Sequence, residues 1–219
     1  MDTLTARFYD SYAAEISDAT ENRRSAMMAH VATALVPGAC VLDVGSGSGR
    51  DVAAMLELGL QAWGVEPNAA MRDKAHERFP AVRGRLREGF LPELGRPFAD
   101  VCPAGFDAVV CSAVLMHITP TELPEALAAL AAQLRPPRDG DREATRERPA
   151  LLVALPEMDA ARLASDRDSD GRRFHNHPPD LVAQQLALLG FTLEHAAIND
   201  VVLQANGTRW HLLVFRREG

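Results

Sequence analysis

The run Val41-Leu42-Asp43-Val44-Gly45-Ser46-Gly47-Ser48-Gly49-Arg50 constrains this chain more than any other stretch. An apolar segment that meets three alternate glycines must turn sharply, because glycine alone takes left-handed backbone at no steric cost. Residues 50–58 then read as a helix, with Gly59 placed to cap its C-terminus. A strand, a glycine turn and a helix start together make a crevice in which a ligand lies directly on main-chain N–H groups. A dinucleotide fingerprint, GxGxxG, requires glycine at position 50. Arg50 stands there, and the pattern is instead DxGxGxG from Asp43 to Gly49.

The same alternation continues along the chain. Met27, Val31, Ala34 and Leu35 fall on one helical face before Pro37-Gly38, so the first 35 residues read as helical. Residues 61–66 form a second strand, and Pro67-Asn68 opens a helix carrying Met71, Ala75 and Phe79. A weaker third strand spans 82–88, and a buried one spans 106–111. Thr119-Pro120-Thr121-Glu122 fits a capping box with Pro120 at the first helical position, and Leu123, Leu127, Leu130 and Leu134 follow on one face. Residues 135–149 read as a solvated loop, 150–155 as a strand, and 156–179 as a long irregular loop. A helix over 180–189 ends at Gly190. Residues 191–197 and 210–215 close the fold as an antiparallel pair, with Asn206-Gly207 as a hairpin turn. Strands alternating with helices predict an α/β fold around a mostly parallel sheet.

Composition narrows the function classes. The 219 residues carry 23 Lys+Arg against 30 Asp+Glu, a net charge of −7 that on average repels nucleic acid. No apolar run approaches the ~20 residues of a membrane span, and the N-terminus lacks the pattern of a signal peptide. Cys40, Cys102 and Cys111 are too widely spaced for a disulfide framework or a metal knuckle. These features predict a cytoplasmic protein, monomer or homodimer, acting on a small molecule away from membranes.

Glu66 ends the second strand, 21 residues after Gly45, where a carboxylate can accept both hydroxyls of a ribose. With Asp43, the three glycines and Glu66 in register, the chain resembles the class I S-adenosylmethionine-dependent methyltransferases, in particular their small-molecule bacterial branch. The resemblance runs from about residue 35 to the C-terminus and is strongest over 41–118. It implies a Rossmann-like seven-stranded sheet, mostly parallel with an antiparallel last strand and helices on both faces. It further implies a cofactor domain over 36–219; the need to exclude water makes the helical segment 1–35, around Phe8 to Tyr12, a candidate lid, with the loop around Arg172 to His177 as the other. Asp43, Gly45, Ser46, Gly47 and Gly49 would line the methionine part of S-adenosylmethionine, Glu66 would hold the ribose, and Pro67 and Asn68 would lie beside the adenine. The family's Gly-Asp motif after the third strand is here Arg87-Glu88-Gly89-Phe90-Leu91-Pro92. Its Asp is absent, so the adenine contact falls to Glu88 or to the backbone at Gly89 and Phe90. Cys111-Ser112-Ala113-Val114-Leu115-Met116-His117-Ile118 would run beneath the sulfonium, with Ser112, Ala113 and Val114 against the cofactor.

Methyl transfer from a sulfonium chiefly needs alignment and exclusion of water, plus a base when the nucleophile carries a proton. His117 is the candidate base; the alternative is an imidazole bonded to nearby backbone. Tyr9 and Tyr12 either cover the cofactor and bind substrate or pack a helix face. Arg172, Arg173, His175 and His177 either bind an anionic group of the acceptor or form a solvated basic loop. His175, His177 and Asp180 have metal-compatible spacing, but no strand or helix is predicted to fix them, so no metal is expected. Two other functions remain open: a non-catalytic S-adenosylmethionine-binding regulator, and a nicotinamide-dependent oxidoreductase, against which Arg50 counts.

Overall fold

In a computed structural model the described residues are 2–17, 25–138, 145–199 and 208–218. Seven strands form one sheet: β1 Cys40–Val44, β2 Gln61–Val65, β3 Leu86–Arg87, β4 Ala108–Ser112, β5 Ala150–Met158, β6 Phe191–Asn199 and β7 Thr208–Arg217. Their order is β3-β2-β1-β4-β5-β7-β6. The first five are parallel to one another, and β7 runs antiparallel between β5 and β6. The helices are α1 Thr3–Glu15, α2 Met27–Ala34, α3 Arg50–Glu57, α4 Ala69–Arg78, α5 Leu123–Ala131 and α6 Pro179–Leu188. This is the seven-stranded, mostly parallel arrangement expected from the sequence.

Side chains alternate faces along a strand, so each central strand feeds two cores. Leu42, Val44, Val109, Cys111, Leu151 and Val153 pack on one side against Leu123, Leu127 and Leu130 of α5 and Val182 and Leu186 of α6. Val41, Val110, Leu152 and Ala154 pack on the other against Met27 and Val31 of α2 and Val52 and Met55 of α3. Burial on both faces explains why these strands read as apolar runs. Truncating one such side chain, as in Leu127→Ala, costs about 2–5 kcal/mol. The N-terminal helices thus divide. α2 belongs to the core, whereas α1 sits on α4, with Ala13 and Ile16 packed on Met71.

Several boundaries differ from the sequence reading. Only Leu86–Arg87 pair as β3, because Pro80–Val82 form a 3-10 turn and Gly84, at φ +74°, breaks the extended run. The Thr119 and Glu122 side chains do bond reciprocally to each other's backbone N–H. That box closes a turn preceding α5, which begins at Leu123 with Pro124 in its first turn, so Pro120 is not the first helical residue. β5 extends to Met158, into the segment expected to be irregular, because β7 pairs with it as far as Thr208. The rest of that segment is ordered by bridges between Ala164 and Arg167 and between Arg167 and Arg173. The Asn206-Gly207 turn lies outside the described residues.

The sheet order reverses between β1 and β4, which pairs on the side of β1 opposite β2. The loops leaving β1 and β4 therefore diverge, and the crevice between them is where open α/β sheets bind ligands.

Candidate active site

The loop after β1 holds Gly45 at φ +77° and Gly47 at φ +52°. The N–H groups of Gly45 and Ser46 both donate to the Val65 carbonyl at 2.9 Å, folding the loop back over the end of β2. A Cβ at Gly45 would lie 2.2 Å from Val114 Cγ2, so the first glycine is dictated by the loop that follows β4. Gly49, at φ +74°, heads α3 with its backbone against Ala75, where a Cβ would lie 2.9 Å from the Ala75 Cβ. Its role is helix packing, and it lines none of the cavities described below.

Two carboxylates are buried in the crevice. Asp43 follows Val41 on the α2–α3 face of β1 and is thereby aimed at the start of α3, where Asp51 accepts from Ser25 Oγ at 2.6 Å and from Arg50 Nε at 3.2 Å. Burial, with the negative charge of Asp51 adding to it, holds Asp43 well above the usual carboxylate range. Glu66 accepts from Gly47 N–H at 3.0 Å on one oxygen and from Asn68 N–H at 2.9 Å on the other. Burial raises its pKa, against the opposing pull of those two donors and of Arg72. Each Glu66 oxygen keeps a second lone pair for a ligand hydroxyl. Buried carboxylates disfavoured in this way are relieved by a cationic ligand.

Three cavities meet here. One of about 330 Å³ is lined by Asp43, Gly45, Ser46, Gly47, Asp51, Met71 and Trp210. A second of about 220 Å³ is lined by Glu66, Pro67, Gly89, Phe90, Leu91, Val114, His117 and Arg173. A third of about 840 Å³ lies between α1 and the segment after β5, lined by Phe8, Tyr12, Met116, Met158, Arg172, Phe174 and Trp210. Ala113 borders all three, and Ser112 the first two. Ala113 sits at φ +59°, a left-handed conformation uncommon outside glycine and often found at functional positions.

Tyr9, on α1, closes the second and third cavities together. His117 Nδ1 lies 2.6 Å from the Arg173 carbonyl, and Nε2 lies 3.0 Å from Tyr9 Oη. Burial pushes His117 down to about 4 and Tyr9 up to about 12. Arg172 Nε donates to Asp168 at 2.7 Å, and its guanidinium stacks 4.5 Å from the Phe8 ring centre. The Arg173 N–H donates to Thr5 Oγ1 at 2.9 Å, a second tie between α1 and this segment.

Four further residues singled out from the sequence are placed away from these cavities. Glu88 is 71% exposed and pairs with Arg72 at 3.5 Å, and of the two alternatives read for the adenine contact it is Gly89 and Phe90 that line the second cavity. Asn68 is buried as the cap of α4, accepting from Met71 N–H, and its amide donates to Asp10 on α1 at 2.7 Å. His177 Nε2 donates to the carbonyls of Leu115 and Ile118 at 2.9 and 3.0 Å, pinning its loop beneath the β4 turn. His175 stands beside it, rings 6.2 Å apart. Trp210, on β7, packs against the core on the α2–α3 face and also lines two of the cavities. Phe8 lies in the segment expected to form the lid and Met116 in the run expected beneath the sulfonium, neither with a role of its own; Met158, at the end of β5, was not singled out.

Comparison with known proteins agrees with this geometry. A family model described as a methyltransferase domain matches residues 41–137. An uncharacterized methyltransferase of Geobacillus kaustophilus is 30% identical over 170 residues, covering 75% of this chain and 74% of the relative. The fold matches that of the 1,6-didemethyltoxoflavin-N1-methyltransferase of Burkholderia thailandensis, solved with that compound and S-adenosylhomocysteine, at a TM-score of 0.64 and 21% identity over 99% of this chain and 88% of that one. It also matches the magnesium protoporphyrin IX methyltransferase of Synechocystis, solved with bound S-adenosylmethionine, at a TM-score of 0.61 and 17% identity over 98% of this chain and 80% of that one. By sequence match and fold together, the chain belongs to the class I S-adenosylmethionine-dependent methyltransferases.

Proposed function

We propose that the protein transfers a methyl group from S-adenosylmethionine to oxygen, nitrogen or sulfur of a small-molecule acceptor, releasing S-adenosylhomocysteine. The observation that supports this most is the meeting of three cavities at Ala113, one lined by Asp43, the next by Glu66 and the third largely by aromatic rings. The residues present fit the cofactor. The Asp43 side accommodates a cationic amino acid part, Glu66 keeps one lone pair per oxygen for a ribose diol, and Phe90, Leu91 and Val114 offer apolar walls to a purine. When bound, S-adenosylmethionine supplies a methyl group on a sulfonium, an electrophile that carries its own leaving group.

The chain's own task is then alignment. The glycine loop and Glu66 hold one reactant and the aromatic cavity holds the other, which removes most of the entropic barrier of a bimolecular displacement. α1, tied down through Tyr9, Thr5 and Asp10, acts as a lid that keeps water from the reacting atoms. The test is incubation with methyl-labelled S-adenosylmethionine and a size-fractionated cell extract. Label in the low-mass fraction is the expected result; label confined to protein or nucleic acid would overturn the small-molecule reading.

A further inference from the structure

Three hydrogen-bonding groups in series connect the large cavity to the loop behind it, and each fixes the direction of the next. A carbonyl oxygen only accepts, so His117 Nδ1, 2.6 Å from the Arg173 carbonyl, carries the imidazole hydrogen. Nε2 of the neutral ring is then bare, and Tyr9 Oη, 3.0 Å away, donates its single proton to it. Toward any other partner the phenol oxygen offers lone pairs alone. Arg172, its own Nε held by Asp168 at 2.7 Å, places a positive charge near that oxygen. Tyr9 borders the 840 Å³ cavity, which His117 does not, so an acceptor there approaches the pair from the Tyr9 side.

We propose that Tyr9 is the catalytic residue that takes the acceptor's proton while passing its own to His117, and that the acceptor is a planar aromatic compound whose nucleophile is a hydroxyl. This rests on the methyltransferase reading above. As the acceptor oxygen bonds to the methyl carbon, with the electron pair of the broken carbon–sulfur bond remaining on sulfur, the hydroxyl proton passes to Tyr9 Oη. The former Tyr9 proton passes to His117 Nε2. Tyr9 ends as a neutral phenol, His117 as an imidazolium, and the positive charge lost at sulfur reappears on the ring. Burial is the largest influence on both rings and disfavours an imidazolium and a phenolate alike; against it, the Arg173 carbonyl, Asp168 and Asp2 favour the imidazolium, while Arg172 opposes it and Glu66 disfavours a phenolate on Tyr9. Loss of the sulfonium charge from the same site lowers the cost of the new one. His117 acts through Tyr9 and is a positioning residue.

The walls indicate the shape of the acceptor. Phe8 and Tyr12 stack with ring centres 5.7 Å apart and planes at 14°, and the Arg172 guanidinium lies 4.5 Å from the Phe8 centre. Met116, Met158 and Trp210 add polarizable walls suited to a flat ring, and Asp168, Asp170 and Arg162 form a polar edge to the same cavity. A hydroxyl is favoured over an amine because an aromatic hydroxyl gains nucleophilicity by losing its proton, so a proton acceptor matters for it.

The test uses the whole protein saturated with S-adenosylhomocysteine and two probes, para-nitrophenol and para-nitroanisole, which differ by the hydroxyl hydrogen and the methyl group that replaces it. The buffer is acid enough to keep the phenol protonated. Wild type is expected to bind the phenol about tenfold more tightly than the anisole, one net hydrogen bond's worth. Tyr9→Phe, with melting confirming its fold, is expected to bind both alike. Imidazole nitrogen NMR of the wild type is expected to show His117 protonated on Nδ1. Equal binding of the probes by wild type, a contrast that survives in Tyr9→Phe, His117 protonated on Nε2, or no binding of either probe while S-adenosylhomocysteine binds would each overturn the proposal. Failure of S-adenosylhomocysteine itself to bind would remove the cofactor reading, and this inference with it.

Discussion

Glu66→Gln isolates one charge at nearly constant shape. In the wild type one carboxylate oxygen takes the Gly47 N–H at 3.0 Å and the other takes the Asn68 N–H at 2.9 Å, leaving one lone pair on each for a ribose hydroxyl. Glutamine keeps one accepting oxygen. Its amide must face either Gly47 or Asn68 donor to donor, and it cannot accept from the second hydroxyl. Two charge-assisted hydrogen bonds are worth about 1.5–3 kcal/mol each, and the variant retains one neutral bond worth about 1 kcal/mol. The loss is then about 2–5 kcal/mol, or roughly 30-fold to several thousandfold in Kd. Calorimetric titration with S-adenosylhomocysteine reads this directly, and thermal melting reads the fold separately. Burial raises the Glu66 pKa, so its charge weakens the ligand-free fold as pH rises through that raised pKa, and removing it offsets part of the donor clash. A folded Glu66→Gln variant binding within about threefold of wild type would refute the lone-pair argument.

The other perturbations separate positions that look alike in sequence. Asp43 is raised by burial and by Asp51, so it contributes stability below the ordinary carboxylate range that is lost as pH rises through its raised pKa. Asp43→Asn is therefore expected to raise the melting temperature of the ligand-free protein at neutral pH while weakening cofactor binding; wild-type affinity should fall on acidification as this carboxylate protonates, and a variant with lower stability and full affinity would contradict this. Gly45→Ala forces left-handed alanine and a 2.2 Å clash with Val114, costing about 2–5 kcal/mol in denaturant unfolding, with part recovered by adding Val114→Ala. Glu88→Ala removes only an exposed pair with Arg72, so stability should change by less than about 1 kcal/mol and cofactor affinity should not change. Asn68→Ala removes the α4 cap, about 1 kcal/mol, and the tie to Asp10, so faster amide exchange is expected in α1.

The half of the site built by local sequence was legible in the sequence, and the half built by distant segments was not. Asp43, Gly45, Gly47 and Glu66 lie at strand ends, where period-two alternation and glycine turns fix both position and direction. Between Glu88 and the backbone at Gly89 and Phe90 the sequence left the choice open, because only the length of β3 decides it: with two residues paired, the Glu88 side chain faces outward and Gly89 and Phe90 line the cavity. His177 has ligand-like spacing to His175, but its nitrogen is occupied by two carbonyls from a turn some sixty residues earlier, which no local pattern encodes. The aromatic cavity is a tertiary product. Phe8 comes from α1, Met158 from the end of β5 and Trp210 from β7, and Trp210 reaches the site because β7 pairs with Pro156 at that register.

The account stands or falls on where the cofactor sits, which a crystal structure of the protein with S-adenosylhomocysteine measures directly. The predicted result places both ribose hydroxyls on the Glu66 carboxylate and the sulfur beside Ala113, where the three cavities meet. A nucleoside bound away from Glu66, or lying in the aromatic cavity between α1 and the segment after β5, would contradict it.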